Sequence, residues 1–147
     1  MKVIMILISL HISLVISAQT LREAFTSMPD SLLPTLTQNN RLDLMDFMDA
    51  KMKSVVTNKL GGESQMNFLS SDSLSVRLSD ALTLDMKMEK ADTMTVICLK
   101  RTYTTLTGEH QSVLTRYASR SWEELSPATV IESTLRRIDE KLKSDTQ

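Results

Sequence analysis

The hydrophobic pattern of this sequence changes its period near residue 65, and that change limits the folds open to the chain. Before it, apolar residues recur roughly every three to four positions, as on an amphipathic helix. After it, apolar and polar residues alternate, which is typical of a β-strand with one buried face. The clearest alternation covers residues 74–88. The chain is therefore expected to combine helices with an antiparallel sheet.

Two helices are predicted ahead of the strands. The first covers residues 20–28 and ends there because Pro29 disfavours helical backbone at the preceding residue. The second runs from Arg41 to about Lys53, with Asn40 as its N-cap. One face of each helix is apolar and should meet the core: Leu21, Ala24, Phe25 and Met28 in the first, and Leu44, Met45, Met48 and Met52 in the second.

The region after the helices is predicted to form four or five strands. They begin near Gln65, Leu74, Leu82, Met94 and Ser112, and the apolar set assigned to the dry face includes Met66, Phe68, Leu84, Met86 and Met88. Asp80 falls in phase with that apolar set. Because a buried unpaired carboxylate is costly, a turn or bulge is expected at residues 79–81. Residues 94–99 are mostly apolar at consecutive positions, as in a strand covered on both faces.

A C-terminal amphipathic helix completes the predicted fold. It begins at Ser126-Pro127, a typical helix start, and continues to about Leu142. The predicted class is α+β, with N-terminal helices and this C-terminal helix packed on an antiparallel β-meander of four to five strands. A chain of 147 residues with 41% hydrophobic and 24% charged residues suits one globular domain, here residues 19–147.

Residues 1–18 are predicted to be a cleaved signal peptide. A lysine precedes an apolar run at residues 3–16, and small residues follow it. The cut is expected after Ala18, or after Ser17 because the residue at minus three is large. As a helix the run would span about 21 Å, shorter than the roughly 30 Å hydrocarbon core, so no membrane span is expected after cleavage.

The exported chain is expected in a bacterial envelope. Its single cysteine, Cys98, cannot form an intramolecular disulfide, which suits a bacterial envelope better than an animal secretory pathway. The formal net charge of −1 disfavours a nucleic-acid partner, since phosphate neutralisation needs a basic excess. The expected partner is instead an envelope protein or another envelope component, and the oligomeric state is left open.

Motifs for chemistry are scarce. No catalytic residue, cofactor or metal site is predicted, since the sequence lacks a G-x-S-x-G elbow, a phosphate loop and a D-x-D-x-D-G calcium loop. Asp43, Asp46 and Asp49 share one helix face and are interpreted as solvated. Cys98 is interpreted as a buried small hydrophobe. His110, in a predicted loop at residues 107–110, is the one histidine after the signal peptide.

Three functional hypotheses follow. The first is a non-enzymatic envelope domain that binds a protein or envelope component. The second is a carrier of a small apolar ligand held between the helices and the sheet, where methionines are frequent. The third is a hydrolase that uses His110. Because loops on a rigid scaffold often carry binding residues, the interaction surface is predicted at Asp30, Asn39, Asn40, Arg41, Asn58 and Lys59.

Several strings of residues resemble a known family. They are S-M-P-D-S-L-L-P at residues 27–34, N-N-R-L-D at 39–43, V-T-N-K-L-G-G at 56–62 and L-S-V-R-L-S-D-A-L at 74–82. The chain resembles, over roughly residues 18–104, a family of exported proteins of unknown function from Gram-negative gut anaerobes. The resemblance implies export, with the protein expected in the periplasm or outer envelope of a Gram-negative bacterium, and it brings no catalytic residues with it.

Overall fold

A computed structural model of the chain describes residues 19–91 and 94–127. Within them lie two helices and six strands, in the order α1 (Leu21–Ser27), α2 (Gln38–Asp49), β1 (Val55–Thr57), β2 (Glu63–Leu69), β3 (Ser73–Ser79), β4 (Leu82–Ala91), β5 (Met94–Thr104) and β6 (His110–Ala118). The strands pair in chain order as one antiparallel meander. The α+β class is confirmed. The predicted signal peptide, and the predicted C-terminal helix beyond Pro127, lie outside the described residues.

The predicted count of four or five strands is wrong, because the sheet has six. The strand that the sequence analysis missed is β1, which pairs through three positions with the start of β2. Three residues are too few to show a period of two. The Gly61-Gly62 pair therefore lies in a β-turn region between strands, where Gly61 has a φ of 80°. This left-handed backbone conformation suits glycine.

Both helices begin with a capping box, in which a threonine side chain and a residue three positions later bond each other's backbone N–H groups. In α1 the pair is Thr20 and Glu23. In α2 the pair is Thr37 and Asn40. The predicted N-cap Asn40 is thus wrong. The helix starts earlier, at Gln38, and Asn40 occupies its third position.

Helix α2 ends at Asp49, earlier than the predicted end near Lys53. The N–H of Lys51 bonds the carbonyl of Met48, and the N–H of Met52 bonds that of Phe47. This pattern is a Schellman motif, which normally has glycine at the position that Lys51 holds with a φ of 56°. Because the chain turns away here, Met52 is 60% exposed and does not face the core as predicted.

Two bulges change which residues face the core. In β2 the register shifts between Met66 and Phe68, so Phe68 lies opposite Ser75 and is 51% exposed, contrary to the predicted alternation. In β3 the register shifts between Arg77 and Ser79. A turn follows in which Asp80 is exposed and accepts a hydrogen bond from Arg77. The predicted irregularity at residues 79–81 is confirmed.

The core lies between the helices and one face of the sheet. Its fully buried large side chains are Phe25, Met28, Leu33, Leu36, Leu44, Met45, Met66, Leu74, Leu84, Met86, Ile97 and Leu99. The opposite face carries mainly polar side chains on β3 and β4, as the alternation predicts. In β5, residues 96–99 are buried at four consecutive positions, which confirms the prediction of a strand covered on both faces.

Candidate interaction site

Three of the six predicted surface residues meet at one junction. The guanidinium of Arg41, at the start of α2, donates to the carbonyl of Met28 (Nη1–O 2.7 Å) and to the carboxylate of Asp30 (Nη2–Oδ1 3.1 Å). Lys59, after β1, donates to the other oxygen of Asp30 (Nζ–Oδ2 3.2 Å). Three of the four strings that carry the family resemblance are therefore joined in space at Asp30.

Electrostatics at this junction favour the charged form of Asp30. Its pKa is lowered, first by the hydrogen bond from Lys59 and by the charge of Lys59, and then by Arg41. The pKa of Arg41 is lowered from its usual value because burial penalises the guanidinium, while Asp30 acts in the opposite direction. Arg41 is only 2% exposed. Its side chain holds the loop before α2 and presents little surface to a partner.

Asn58 also turns inward. Its Nδ2 donates to the hydroxyl of Ser64 and the carbonyl of Leu78, and its Oδ1 accepts from the backbone N–H groups of Leu60 and Gly62. All four sites of bonding lie within the turn or on neighbouring strands. The amide therefore stabilises the turn that follows β1 and also bonds this turn to β3. Asn58 thus has a structural role.

The other predicted residues lie nearer to solvent. Asn39 is exposed in the first turn of α2, and Asn40 is half-buried with its Nδ2 donating to the carbonyl of Thr57. Asp30 and Lys59 are exposed. The accessible part of the predicted surface is thus Asp30, Asn39 and Lys59.

A second surface, which the sequence analysis did not select, lies on β6. Residues 110–114 are all exposed, and Val113 and Leu114 are 52% and 51% exposed although both are large and apolar. Their side chains point to opposite faces of the sheet, since they are neighbours in a strand. Tyr103 and Leu106, in the same hairpin, are also exposed. In the sequence, the signal for this surface was that Val113 and Leu114 are adjacent apolar residues in the last predicted strand.

The backbone of β6 distinguishes its two halves. Residues 123–125 run antiparallel to its second half, where Ala118 donates to the carbonyl of Glu123 and Leu125 donates to that of Arg116. Alternation along a strand then directs the N–H and C=O groups of Ser112 and Leu114 to the same outer side. Within the described residues, no backbone partner occupies that side at Ser112 and Leu114.

A depression of about 360 Å³ lies on the polar face of the sheet next to this edge. Its apolar lining is Met86, Cys98 and Leu114. Its charged residues are Asp85, Lys87, Glu89, Lys100 and Arg116. Burial, followed by the charge of Glu89, raises the pKa of the Cys98 thiol. The thiol is therefore protonated near neutral pH and packs as an apolar group.

A larger depression, of about 540 Å³, lies between the helices and the turn after β2. Its apolar lining is Leu21, Met45, Met48 and Leu69. At its rim, Arg22 of α1 forms ion pairs with Asp46 and Asp49 of α2. These two carboxylates therefore join the helices. Among the residues that the structure describes, no cluster of three potential metal ligands occurs.

His110 occupies the first position of β6 and not the predicted loop, because the pairing of β5 with β6 extends to Thr104 and His110. The imidazole Nδ1 lies 3.1 Å from the hydroxyl of Thr104. The side chain is exposed at the end of the hairpin. The contact with a neighbouring threonine on the paired strand is that of a surface residue.

Comparison with protein-family models gives one match, to the family described as "Protein of unknown function (DUF3256)", over residues 13–146. The chain belongs to this family. The match extends beyond the quoted strings, which end at residue 82, and beyond residues 18–104, over which the resemblance was stated. Curated proteins and solved structures give no significant match. In the described part of this DUF3256 member, no helix has the length and apolar character needed to cross a membrane.

Proposed function

We propose that this DUF3256 member is an exported envelope protein that binds an extended segment of a partner protein along the first half of β6. Export is supported by the signal-peptide pattern at residues 1–18. The observation that carries the binding proposal is the outer edge of β6, where the backbone groups of Ser112 and Leu114 have no backbone partner among the described residues and adjoin exposed apolar side chains. Such an edge accepts a further strand through main-chain hydrogen bonds.

The chemistry of the edge defines the partner segment. Leu114 and Arg116 lie on the same face of β6, and Lys100 is paired with Leu114 on β5. No acidic residue occurs in β6. A complementary segment would place an apolar side chain against Leu114 and an acidic side chain near Arg116. A second copy of β6 fits poorly, because the strand has no acidic side chain to place near Arg116.

The proposal can be tested by photo-crosslinking at position 114. A photoreactive residue in place of Leu114 should crosslink, in the native envelope, to one partner peptide of extended, partly acidic sequence. Adding Ser112→Pro removes an outward N–H without removing an N–H that bonds β5, and should abolish that crosslink. Ser112→Ala keeps the N–H and should retain it.

Two outcomes of the crosslinking experiment would contradict edge binding. If the Ser112→Pro protein melts like the Ser112→Ala protein and still forms the crosslink, the partner does not use this edge. If the crosslinked peptide comes from residues 128–147 of the same chain, the edge is occupied internally and the partner proposal fails.

The depression between the helices supports a second candidate, a carrier of a small apolar ligand. Its volume of about 540 Å³ lies in the range of small-molecule sites, and the polarizable side chains of Met45 and Met48 could adapt to a ligand. Native mass spectrometry of protein purified from its own envelope should show an added mass. Met48→Trp should remove that mass, while Met52→Trp, at an exposed position outside the lining, should not.

A further inference from the structure

Gln19 lies between the predicted cleavage position and the first helix. It immediately precedes Thr20, the N-cap of α1, and it is the residue that follows the predicted cut after Ala18. The capping box is complete without it, since the N–H of Thr20 bonds Glu23 (N–Oε2 2.8 Å) and the N–H of Glu23 bonds Thr20 (N–Oγ1 3.2 Å). The start of α1 therefore needs no bond from Gln19.

The side-chain oxygen of Gln19 also has no partner among the described residues. This atom, Oε1, is buried and accepts no hydrogen bond from them. Buried carboxamides are normally hydrogen-bonded, so this is a group whose chemistry the fold does not explain. No hydrogen bond at this oxygen would have to break if the side chain folded back onto its own backbone nitrogen.

We propose that Gln19 becomes a pyroglutamate at the N-terminus of the exported protein. This inference rests on the proposed export, because it requires the cut after Ala18. The neutral α-amine of Gln19 attacks the side-chain Cδ, a C–N bond forms to close a five-membered lactam, and the bond from Cδ to the amide nitrogen breaks. The proton from the amine leaves with that nitrogen as ammonia. No oxidant, reductant or cofactor is consumed.

The surroundings of Gln19 bear on this step in two directions. An α-amino group has a pKa of about 8, so a fraction is neutral and nucleophilic near neutral pH. A free ammonium just before α1 would face the positive end of the helix dipole, which the uncharged lactam avoids. Asp72 and Glu89 border the same small depression as Gln19 and would slow the step by favouring the ammonium, whereas Lys90, in the same lining, would act against them. Loss of ammonia is irreversible in dilute solution, so slowing does not prevent it.

Closure of the lactam would give the envelope protein a terminus without a free amine. Aminopeptidases need that amine, so the sequence from Thr20 onward, which contains the capping box of α1, would be protected from stepwise removal. The modification thus connects export to the integrity of the first helix.

The test uses the full chain, expressed from residue 1 in a Gram-negative host and purified from the periplasm or envelope. Intact mass is measured directly after purification, before any digestion, and the N-terminal peptide is then sequenced by mass spectrometry. We expect the mass of residues 19–147 less one ammonia, and resistance to an aminopeptidase. The Gln19→Asn variant is the matched control, because its shorter side chain cannot close a five-membered lactam in this way, and it should show its full mass and be digested.

Each other outcome has a distinct meaning. A free Gln19 that persists on prolonged incubation at neutral pH, or an N-terminus at Ala18, overturns the pyroglutamate inference and leaves export standing. Retention of Met1 overturns both the inference and the proposed export.

Discussion

At the scale of single residues, Arg41 shows how much burial changes the meaning of a charged side chain. Its place in a polar stretch of the sequence predicts a surface residue. The guanidinium is nevertheless buried and donates to the carbonyl of Met28 and the carboxylate of Asp30. Removing it leaves the Met28 carbonyl without that donor. A buried group that loses its partner costs about 1–3 kcal/mol, whereas an exposed ion pair contributes about 0–1 kcal/mol.

We therefore expect Arg41→Ala to lower the free energy of unfolding by about 1–3 kcal/mol. Lys59→Ala, which removes an exposed partner of the same carboxylate, should lower it by less than about 1 kcal/mol. Urea unfolding of the two variants beside the original protein measures both. Equal losses would mean that Arg41 contributes only through its ion pair.

Asp30 provides a prediction on pH at the same scale. The pKa of Asp30 is lowered in the folded protein, chiefly by Lys59. Its stabilising contribution is then fully present above the unfolded pKa of about 3.9 and is lost as the pH falls through the lower folded value. The stability difference between the original protein and Asp30→Asn should be constant from about pH 6 to 8 and shrink below about pH 4. Thermal melts across that range measure it, and a difference that grows toward acid would contradict the assignment.

At the scale of elements, the end of α2 contains a residue in a strained backbone conformation. Lys51 adopts a left-handed conformation at the position where a Schellman motif favours glycine. A side chain in that conformation costs about 1 kcal/mol, partly offset by the greater freedom of glycine in the unfolded chain. Lys51→Gly should raise the free energy of unfolding by about 0.5–1 kcal/mol.

Chemical denaturation of Lys51→Gly, with Lys53→Gly as the control, tests this expectation. Lys53 lies two residues beyond and has no positive φ, so its replacement should not stabilise. Stabilisation by both would point to a loss of charge and not to relief at the helix end.

The phase of β4 gives a second prediction for an element. Leu84 is fully buried, whereas its neighbour Asp85 faces the polar side of the sheet, paired with Ser75 and Lys100. Leu84→Asp places an unpaired carboxylate in the core and should lower the free energy of unfolding by several kcal/mol. A loss of that size approaches the whole stability of a typical small domain. Asp85→Leu should cost far less. Thermal melting compares them, and similar losses would show that the strand faces the other way.

At the scale of the whole molecule, stability should be unequal along the meander. The hydrophobic core takes buried side chains from both helices and from β1 to the first half of β5, whereas residues 110–114 of β6 are exposed. Hydrogen exchange should therefore be slowest in β3 and β4 and fastest at the outward amides of Ser112 and Leu114. Exchange mapped by nuclear magnetic resonance tests this, and partner binding at the edge should slow those two amides first. Protection of both amides in the isolated protein would mean that the edge is already paired.

The sequence by itself determined the elements. Capping residues, prolines and the two hydrophobic periods act between near neighbours, so α1 and the first residues of strands β2 to β6 could be predicted to within a few residues. The end of β5 was not, because this strand continues past residue 99 to Thr104. The α+β class followed, because amphipathic helices and one-faced strands must bury their apolar sides on each other. The three-residue β1, the N-cap at Thr37 and the end of α2 were missed, since their local patterns are short or lack the usual residue.

Tertiary structure decided which residues are buried and where the sheet is open. The bulge in β2 turned Phe68 to the opposite face, and the packing of the loop before α2 drew Arg41 inside. Asn58 became part of a turn through bonds to residues of other strands. Among the residues that the structure describes, the open edge at the first half of β6 follows from the order in which the strands pair. That order depends on contacts between residues far apart in the chain. Periodicity reports only the immediate neighbours of a residue, so it placed the strands but not the surface at which a partner would bind.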